Sequence, residues 1–298
     1  MIYTFGESLL DVTFRNRQPV SAWPGGAMLN TSVSLGRLGL PVSLITEYGK
    51  DPVGEMIDGF LRENGVDTLY AVRYDGNKTT VALAFLNERN EASYSFYKEY
   101  PERRLQGVMP EFSGGDYFLF GSFFALDPGV RPALVSLLKQ TSGRKTFIYY
   151  DPNFRSSHLD ELPALKKNII ENISMASLVR GSDEDFRNIF GAENAEDTWA
   201  AVKDRTGALI YTASDRAVYL KTPELSLEVP VPPVETVSTV GAGDTFNAGI
   251  VSELYKRKVT PDSLSRLTRE EWTEIIRTAI TLAGEVCGRY ENYINKKA

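Results

Sequence analysis

Residues 238–249 read Ser-Thr-Val-Gly-Ala-Gly-Asp-Thr-Phe-Asn-Ala-Gly, with two glycines one residue apart at the start of an apolar, helix-like run. Such a turn directs several backbone N–H groups to one point, and the helix N-terminus adds the positive end of its dipole. Asp244 directly follows the second glycine, where it can accept a proton from an attacking hydroxyl group. The segment predicts an anion-binding turn with a base at its edge. The same spacing also occurs in an ordinary tight turn whose aspartate caps the helix.

Other phosphate-binding and kinase motifs are absent from the sequence. Phe246 occupies the place of the third glycine of a dinucleotide fingerprint, and no Gly-x-x-x-x-Gly-Lys-Ser/Thr loop occurs. The His-Arg-Asp and Asp-Phe-Gly motifs of protein kinases are missing too. Residues 238–249 therefore carry the phosphate-binding prediction by themselves.

The composition excludes several classes of protein. A length of 298 residues fits either one large α/β domain or two small ones, and 42% hydrophobic residues are enough for a substantial core. A net charge of −6 argues against a nucleic-acid or membrane-surface partner. The lone Cys287 and lone His158 exclude an internal disulfide and cysteine-rich or His-pair metal sites. Because no membrane-length apolar run and no signal-peptide pattern occur, we expect a cytoplasmic protein.

Short apolar runs alternate with segments of helical periodicity along most of the chain. The predicted strands are Ile2–Phe5, Val42–Thr46, Tyr117–Phe120, Thr146–Tyr150, Ser177–Arg180 and Ala208–Thr212. The predicted helices are Ala27–Leu38, Val53–Asn64, Val130–Gln140, Leu162–Ser174, Asp183–Phe190, Asp197–Thr206, Gly243–Lys256 and Arg269–Arg289. This alternation predicts an α/β fold with a mostly parallel sheet, whose ligands bind at the carboxyl ends of the strands.

One region departs from the alternation. Residues 68–97 show period-2 patterning in three runs, Leu69–Tyr74, Thr79–Asn87 and Ala92–Tyr97. Turn residues at 75–77 and 88–91 separate them, which predicts consecutive hairpins. These strands form either a separate small sheet or an antiparallel extension of the main sheet.

A second segment, far upstream, carries a resemblance to a known family. Residues 24–39 read Pro-Gly-Gly-Ala-Met-Leu-Asn-Thr-Ser-Val-Ser-Leu-Gly-Arg-Leu-Gly, and Gly-Lys-Asp-Pro-Val-Gly follows at 49–54. Together with residues 238–249, they resemble the two signatures of the ribokinase-like (PfkB-type) sugar kinases. Gly-Glu-Ser-Leu-Leu-Asp at 6–11 and Asp-Pro-Asn-Phe-Arg at 151–155 also match, so the resemblance covers nearly the whole chain in order.

The resemblance implies a single domain over residues 1–298, a ribokinase-like three-layer α/β/α sandwich with a mostly parallel central sheet and a small β-sheet lid. A short strand within 11–22 and the strands within about 68–100 would form this lid, which excludes water from the transferred phosphate. The resemblance also implies ATP and Mg²⁺ as cofactors and a small-molecule sugar as the partner. It implies no nucleic-acid or membrane partner, and it allows a homodimer formed through the lid.

For catalysis, the resemblance points to Gly241, Ala242, Gly243 and Asp244. Asp244 would accept the proton of a primary hydroxyl group as its oxygen attacks the γ-phosphate. The backbone N–H groups of Ala242, Gly243 and Asp244 would form an anion hole. The helix N-terminus favours ionised Asp244, whereas nearby phosphates oppose its ionisation.

The sugar-binding residues implied by the resemblance come from four parts of the chain: they are Asp11, Gly25, Gly26, Asn30, Phe96 and Arg155. A carboxylate accepts from two vicinal hydroxyls, paired glycines let the backbone approach the sugar, and an asparagine both donates and accepts. An arginine near the site either neutralises transferred charge or forms an ordinary surface ion pair. Phe96 precedes Tyr97 at the end of a predicted lid strand, and alternation lets only one of them face the sugar.

The residues that the resemblance implies for the nucleotide are Ser182, Asp185, Thr212, Ser214, Ala283 and Cys287. Asp185 would also contact Mg²⁺ through water. Ser182 and Asp185 occupy an Asn-x-x-Glu motif of the family, and the loop from Thr212 lacks both glycines of Thr-x-Gly-x-x-Gly. Ser238 replaces an aspartate linked to a monovalent cation, so we expect little activation by potassium. The small side chains near the end of the last helix either leave room for adenine or allow close helix packing.

We therefore predict an ATP-dependent sugar kinase. Residues 82–86 and 92–97 resemble the lid strands of bacterial fructokinases, which favours the conversion of fructose to fructose 6-phosphate. A 2-keto-3-deoxygluconate kinase, a ribokinase and a nucleoside kinase are alternatives on the same fold. A catalytically silent sugar-binding regulatory protein is the alternative outside the enzymes, and the complete Gly-Ala-Gly-Asp turn argues against it.

Overall fold

The structure is a computed structural model that describes residues 1–87, 92–141 and 143–296. The strands are β1 (Ile2–Phe5), β2 (Leu9–Arg15), β3 (Gln18–Gly25), β4 (Val42–Gly49), β5 (Val66–Asp67), β6 (Ala71–Tyr74), β7 (Val81–Leu86), β8 (Ala92–Tyr97), β9 (Tyr117–Gly121), β10 (Phe147–Asp151), β11 (Leu178–Ser182), β12 (Ala208–Ala213), β13 (Ala217–Lys221) and β14 (Ser226–Pro230). The helices are α1 (Ala27–Arg37), α2 (Pro52–Glu63), α3 (Arg131–Thr141), α4 (Leu162–Met175), α5 (Asp183–Phe190), α6 (Ala195–Val202), α7 (Ala242–Lys256) and α8 (Arg269–Cys287).

Most elements have bounds close to those predicted, because apolar periodicity and caps are local signals. Helix α5, for example, begins with a capping box in which Ser182 Oγ accepts from the N–H of Asp185 and the Asp185 carboxylate accepts from the N–H of Ser182. Helix α6 begins earlier than predicted because Asn194 caps it, and it ends earlier, at Val202. The short β5 and the β13–β14 hairpin are absent from the predicted set.

The large sheet has the strand order β14-β13-β12-β11-β10-β9-β1-β4-β5, and β6 also pairs with β4. Its strands pair in parallel except at one edge, where β13 pairs antiparallel with both β12 and β14. Helices α1, α2, α7 and α8 pack on one face, and α3 to α6 pack on the other. This is the predicted three-layer α/β/α sandwich, and its strands are apolar on both sides because both faces are buried. No helix in the described ranges is long and apolar enough to cross a membrane.

The small sheet has the order β3-β2-β7-β8 and is separate from the large one. Strands β7 and β8 pair antiparallel as predicted, although the predicted turn at 88–91 lies outside the described residues. Residues 11–22 fall within the hairpin of β2 and β3, not a single short strand, because Asn16 and Arg17 adopt left-handed turn conformations.

One predicted lid strand belongs to the large sheet. Strand β6 pairs parallel with β4, so the predicted hairpin between Leu69–Tyr74 and Thr79–Asn87 is wrong. The hydroxyl of Tyr74 donates to the buried carboxylate of Glu47 in β4, which fastens β6 to the core. The turn residues at 75–77 lead the chain out to the small sheet instead of reversing it, because β7 joins β2.

Candidate active site

Helix α7 begins at the glycine pair of residues 241–243. Gly241 has a left-handed backbone (φ 79°), and a Cβ atom there would lie 2.2 Å from a carbonyl oxygen of the C-terminal segment, so only glycine fits. The N–H of Ala242 donates to the carbonyl of Thr239 at 3.3 Å. The N–H groups of Gly243 and Asp244 have no acceptor in the described part of the chain. Two of the three predicted anion-hole donors are therefore available to an anion in this structure.

Asp244 lies beside this turn and is held by helix α1. Nδ2 of Asn30 donates to its Oδ2 at 2.8 Å, and Oγ1 of Thr31 donates to its backbone carbonyl at 3.1 Å. Burial raises the pKa of Asp244 to about 6, while the hydrogen bond from Asn30 acts in the opposite direction. The carboxyl group is therefore ionised at neutral pH and basic enough to accept a proton.

A buried polar network lies behind the turn. Arg180, on β11, forms an ion pair with Asp151 at 2.9 Å and donates to Oγ1 of Thr212 at 2.9 Å. Asn247 of α7 donates to the same Asp151 carboxylate at 2.6 Å and accepts from the hydroxyl of Tyr149 at 2.8 Å. The network joins β10, β11 and β12 to α7 and so holds the helix N-terminus against the sheet.

Arg180 also lies against the anion-binding turn itself. A Cβ atom at Gly243 would be 3.2 Å from Nη1 of Arg180. A buried guanidinium group at this place adds positive charge to that of the helix N-terminus. Sequence reasoning missed Arg180 and Asn247; the available signal was a polar residue within an otherwise apolar strand or helix face.

Asp11 lies at the glycine pair of residues 25 and 26, as the predicted sugar site requires. A Cβ atom on Gly25 would be 2.0 Å from Oδ2 of Asp11, so the carboxylate rests directly on the backbone. Burial, then the charges of Glu7 and Asp244, raise the pKa of Asp11 to about 7. The structure thus brings Asp11, the predicted sugar-binding carboxylate, close to Asp244, the predicted base.

The small sheet presents aromatic side chains on the same side as Asp11. Cross-strand pairing places Asp11 beside Trp23 and Ala82, and Ala82 opposite Phe96. Directly paired residues share a face, so Phe96 belongs to the Asp11 face and Tyr97 to the opposite one. Of the two candidate lid aromatics, Phe96 is therefore the one that faces the site.

Tyr94 is a further aromatic residue on this face, and sequence reasoning did not select it. Its ring stacks on that of Phe96 with centroids 5.9 Å apart. Burial and the charge of Asp11 raise the pKa of its hydroxyl, and the charge of Arg155 opposes them. The period-2 pattern of β8 was the signal that could have identified Tyr94.

Arg155 lies at the edge of the site. Its side chain is 63% exposed, its Nη1 is 4.0 Å from a carboxylate oxygen of Glu184, and its charge lowers the pKa of Asp244. The preceding loop is fixed by Asp185, whose Oδ1 accepts from the N–H of Phe154. The sugar contact of Arg155 stays a prediction.

Asp185 is buried and already has several hydrogen-bond donors. Its Oδ2 accepts from both the N–H and the Oγ of Ser182 at 2.6 Å. Burial and the charge of Asp151 raise the pKa of Asp185. In the described ranges, no group of three or more His, Cys, Asp or Glu side chains can hold a metal ion. The water-mediated contact of Asp185 with Mg²⁺ stays a prediction.

The other predicted nucleotide residues lie on two sides of the α7 turn. Thr212 is buried, and Oγ1 donates to the carbonyl of Gly181 at 3.4 Å, while Ser214 takes a left-handed conformation (φ 53°) in the β12–β13 turn. On α8, the carbonyl of Cys287 accepts from the N–H of Ser238 at 3.1 Å. Ala283 is partly buried on the same helix.

An exposed apolar strip adjoins α8. Val234 and Val237 are both 45% exposed, and Val234 Cγ1 would lie 3.3 Å from a Cβ atom on Gly284. A flat apolar ring fits such a strip, so the arrangement is compatible with adenine binding.

Comparisons with known proteins identify the family of this chain. The sequence matches the model of the pfkB family carbohydrate kinases over residues 6–297. A fructokinase of Rhizobium leguminosarum bv. trifolii is 29% identical over 262 residues, which cover 85% of this chain and 79% of the relative.

Two solved structures share the fold. The first is fructokinase from Vibrio cholerae O395 bound to fructose, ADP and calcium, with a TM-score of 0.84, 20% identity and coverage of 98% and 94%. The second is aminoimidazole riboside kinase from Salmonella enterica with its riboside and an ATP analogue, with a TM-score of 0.82, 21% identity and coverage of 98% and 94%. With a family match over almost its whole length, the chain belongs to the pfkB family of ATP-dependent carbohydrate kinases.

Proposed function

We propose that this kinase transfers the γ-phosphate of ATP to the primary 6-hydroxyl group of fructose. The observation that carries the proposal is the hydrogen bond from Asn30 to Asp244, which holds a base of raised pKa between the anion-binding turn and Asp11. The presence of fructokinases among the relatives, including one that is 29% identical, supports fructose as the acceptor over other sugars.

The residues around the turn fit a bound ATP. Positive potential for phosphate oxygens comes from the buried Arg180 and from the N–H groups of Gly243 and Asp244, which have no acceptor in the described part of the chain. The apolar strip at Val234 and Val237 lies beside α8, where the nucleotide base is expected. When bound, ATP supplies the phosphoryl group and Mg²⁺ offsets its negative charge.

Different residues of the chain then bind the sugar, accept the proton and stabilise the transferred charge. Asp11 accepts hydrogen bonds from the sugar hydroxyls, and Asn30 both accepts and donates them. These hydrogen bonds orient the ring. Asp244 accepts the proton of the attacking hydroxyl, and the N–H groups of the α7 turn stabilise the charge on the transferred group.

The small sheet completes the site as its lid. Phe96 and Tyr94 lie on the face that includes Asp11, so closure of this sheet would cover the sugar with aromatic surface. Excluding water in this way directs the phosphate to the sugar. We also propose that homodimers form through the exposed edges of this sheet, since unpaired edge strands invite pairing.

A panel of acceptors tests the proposal. ADP release is measured with Mg²⁺-ATP and fructose, ribose, 2-keto-3-deoxygluconate, adenosine and aminoimidazole riboside, followed by identification of the product. We expect the highest kcat/KM with fructose and a product phosphorylated at O6. A higher value for another acceptor would overturn the fructose assignment, and no turnover with any acceptor would support the silent sugar-binding alternative.

A further inference from the structure

The sugar end of the site contains hydrogen-bond acceptors that lack donors. In the described ranges, no donor lies within hydrogen-bond distance of the carboxylates of Glu7 and Asp11. Oδ1 of Asn30, on a side chain that is 4% exposed, also has no partner. A buried acceptor such as Oδ1 of Asn30 is costly unless a ligand brings a donor to it, and the two partly exposed carboxylates are further acceptors for the same ligand.

Glu7 belongs to this place by its contacts. It lies two residues after β1, and its Cγ would lie 3.5 Å from a Cβ atom on Gly26, next to the residue on which Asp11 rests. Burial raises the pKa of Glu7, and its charge in turn raises the pKa of Asp11. The two carboxyl groups are therefore close enough to repel each other when both are ionised.

One cation faces Glu7 from the small sheet. Lys98 directly follows β8, and its Nζ lies 4.7 Å from the centroid of the Phe96 ring, on the side of the site. Among the cations near Glu7, Lys98 has the largest opposing effect on the pKa of that carboxyl group. Within the described part of the chain, however, no ion pair of 4 Å or less joins the two side chains.

We propose that Glu7 is a specificity-determining residue of the sugar site, which selects a neutral sugar through its hydroxyl donors and rejects the corresponding acid sugar. The inference rests on the proposed sugar-kinase function. Each hydroxyl group supplies a proton to an acceptor that lacks one, whereas a sugar carboxylate brings charge of the same sign and no donor. Lys98 offsets part of the negative charge, so its removal makes the rejection stronger.

A matched pair of sugars isolates the charge. D-Fructose and 2-keto-D-gluconate share carbons 3 to 6 and the 6-hydroxyl group, and they differ at carbon 1, which is a hydroxymethyl group in one and a carboxylate in the other. The ratio of their kcat/KM values is measured by ADP release for the wild type, Glu7→Gln, Lys98→Met and the control Glu55→Gln, which changes an exposed glutamate on α2. Thermal melting establishes that each variant is folded.

We expect the wild type to prefer fructose, and Glu7→Gln to reduce this preference by about tenfold. Lys98→Met should increase it, and Glu55→Gln should leave it unchanged. Opposite changes from Glu7→Gln and Lys98→Met identify an electrostatic effect, because structural damage has no reason to change sign.

An unchanged ratio in Glu7→Gln, equal shifts of one sign in both variants, or equal use of the two sugars by the wild type would overturn the inference. If the wild type phosphorylates neither sugar, the proposed function fails instead. Equilibrium binding of the two sugars to the wild type and Glu7→Gln, measured by titration calorimetry, then decides the role of Glu7 by the same ratio.

Discussion

The proposed phosphate end and the proposed sugar end of the site are built in different ways. Asp151 and Arg180 are buried at the phosphate end, where hydrogen bonds link three strands of the large sheet to α7. At the sugar end, Trp23, Tyr94 and Phe96 are 37%, 53% and 50% exposed on the small sheet. Phosphoryl transfer depends on fixed geometry, whereas the sugar must enter and leave, so rigidity and openness are separated between the two sheets.

Replacing the base should produce the largest effect. Asp244→Asn keeps the size of the side chain but removes proton acceptance, so kcat should fall roughly 10²–10⁴-fold while the sugar still binds. ADP release measures kcat, and titration calorimetry measures binding of fructose. Asp75→Asn, at a residue whose side chain is 83% exposed in the turn after β6, serves as the control. Near-normal turnover of Asp244→Asn would contradict the catalytic assignment.

Breaking the ion pair between Arg180 and Asp151 tests the buried network at the phosphate end of the site. Arg180→Met leaves Asp151 without its cation in a buried place, so the free energy of unfolding should fall by about 3–5 kcal/mol. The control is Arg216→Met, whose exposed guanidinium lies 3.4 Å from Asp183 and should contribute less than about 1 kcal/mol. Chemical denaturation followed by circular dichroism gives both values. Equal losses in the two variants would contradict the expectation that the buried ion pair stabilises the fold more than the exposed one.

The pH dependence of turnover follows from the raised pKa of Asp244. Its carboxyl group becomes protonated as pH falls through about 6, so kcat at saturating fructose should decrease below that pH. Asn30→Ala removes the hydrogen bond that lowers this pKa, and the acid limb of kcat should move to higher pH. Burial raises the pKa of Asp11 to about 7, so protonation of this carboxyl group should affect KM for the sugar instead. An acid limb that does not move in Asn30→Ala would argue against Asp244 as the titrating group.

Substitutions of the two neighbouring aromatic residues of β8 test the small sheet at the sugar end of the site. Phe96→Ala should raise KM for fructose by about tenfold and increase ATP hydrolysis without sugar, because Phe96 lies on the Asp11 face. Tyr97→Ala, on the opposite face, is the matched control and should leave KM nearly unchanged. Steady-state kinetics with and without fructose measure both effects. Equal changes in KM would contradict the cross-strand register.

The smallest effect concerns the monovalent cation. Ser238 has no carboxylate, and its Oγ already accepts from the N–H of Val240 at 3.2 Å. Exchanging Na⁺ for K⁺ at constant ionic strength should therefore change the rate little. A rate that is several-fold higher in K⁺ than in Na⁺ would contradict this prediction.

The sequence by itself determined the layered α/β architecture and the family, and it predicted the segments of the proposed site. Apolar periodicity located most helices and strands, and the segments containing Asp11, Asn30, Asp151 and Asp244 identified the family. These signals are local, because a cap, a glycine turn or a periodic run depends on neighbours within a few residues.

Only the tertiary structure decided which distant segments meet. It placed β6 in the large sheet, brought Asn30 to Asp244 across 214 residues, and assigned Phe96 to the face of Asp11. It also revealed Glu7 beside Gly26 and Asp11, at the proposed sugar site, and Arg180 behind the turn. Strand partners and register are set by long-range pairing and by which face becomes buried, and a local pattern does not specify either of them.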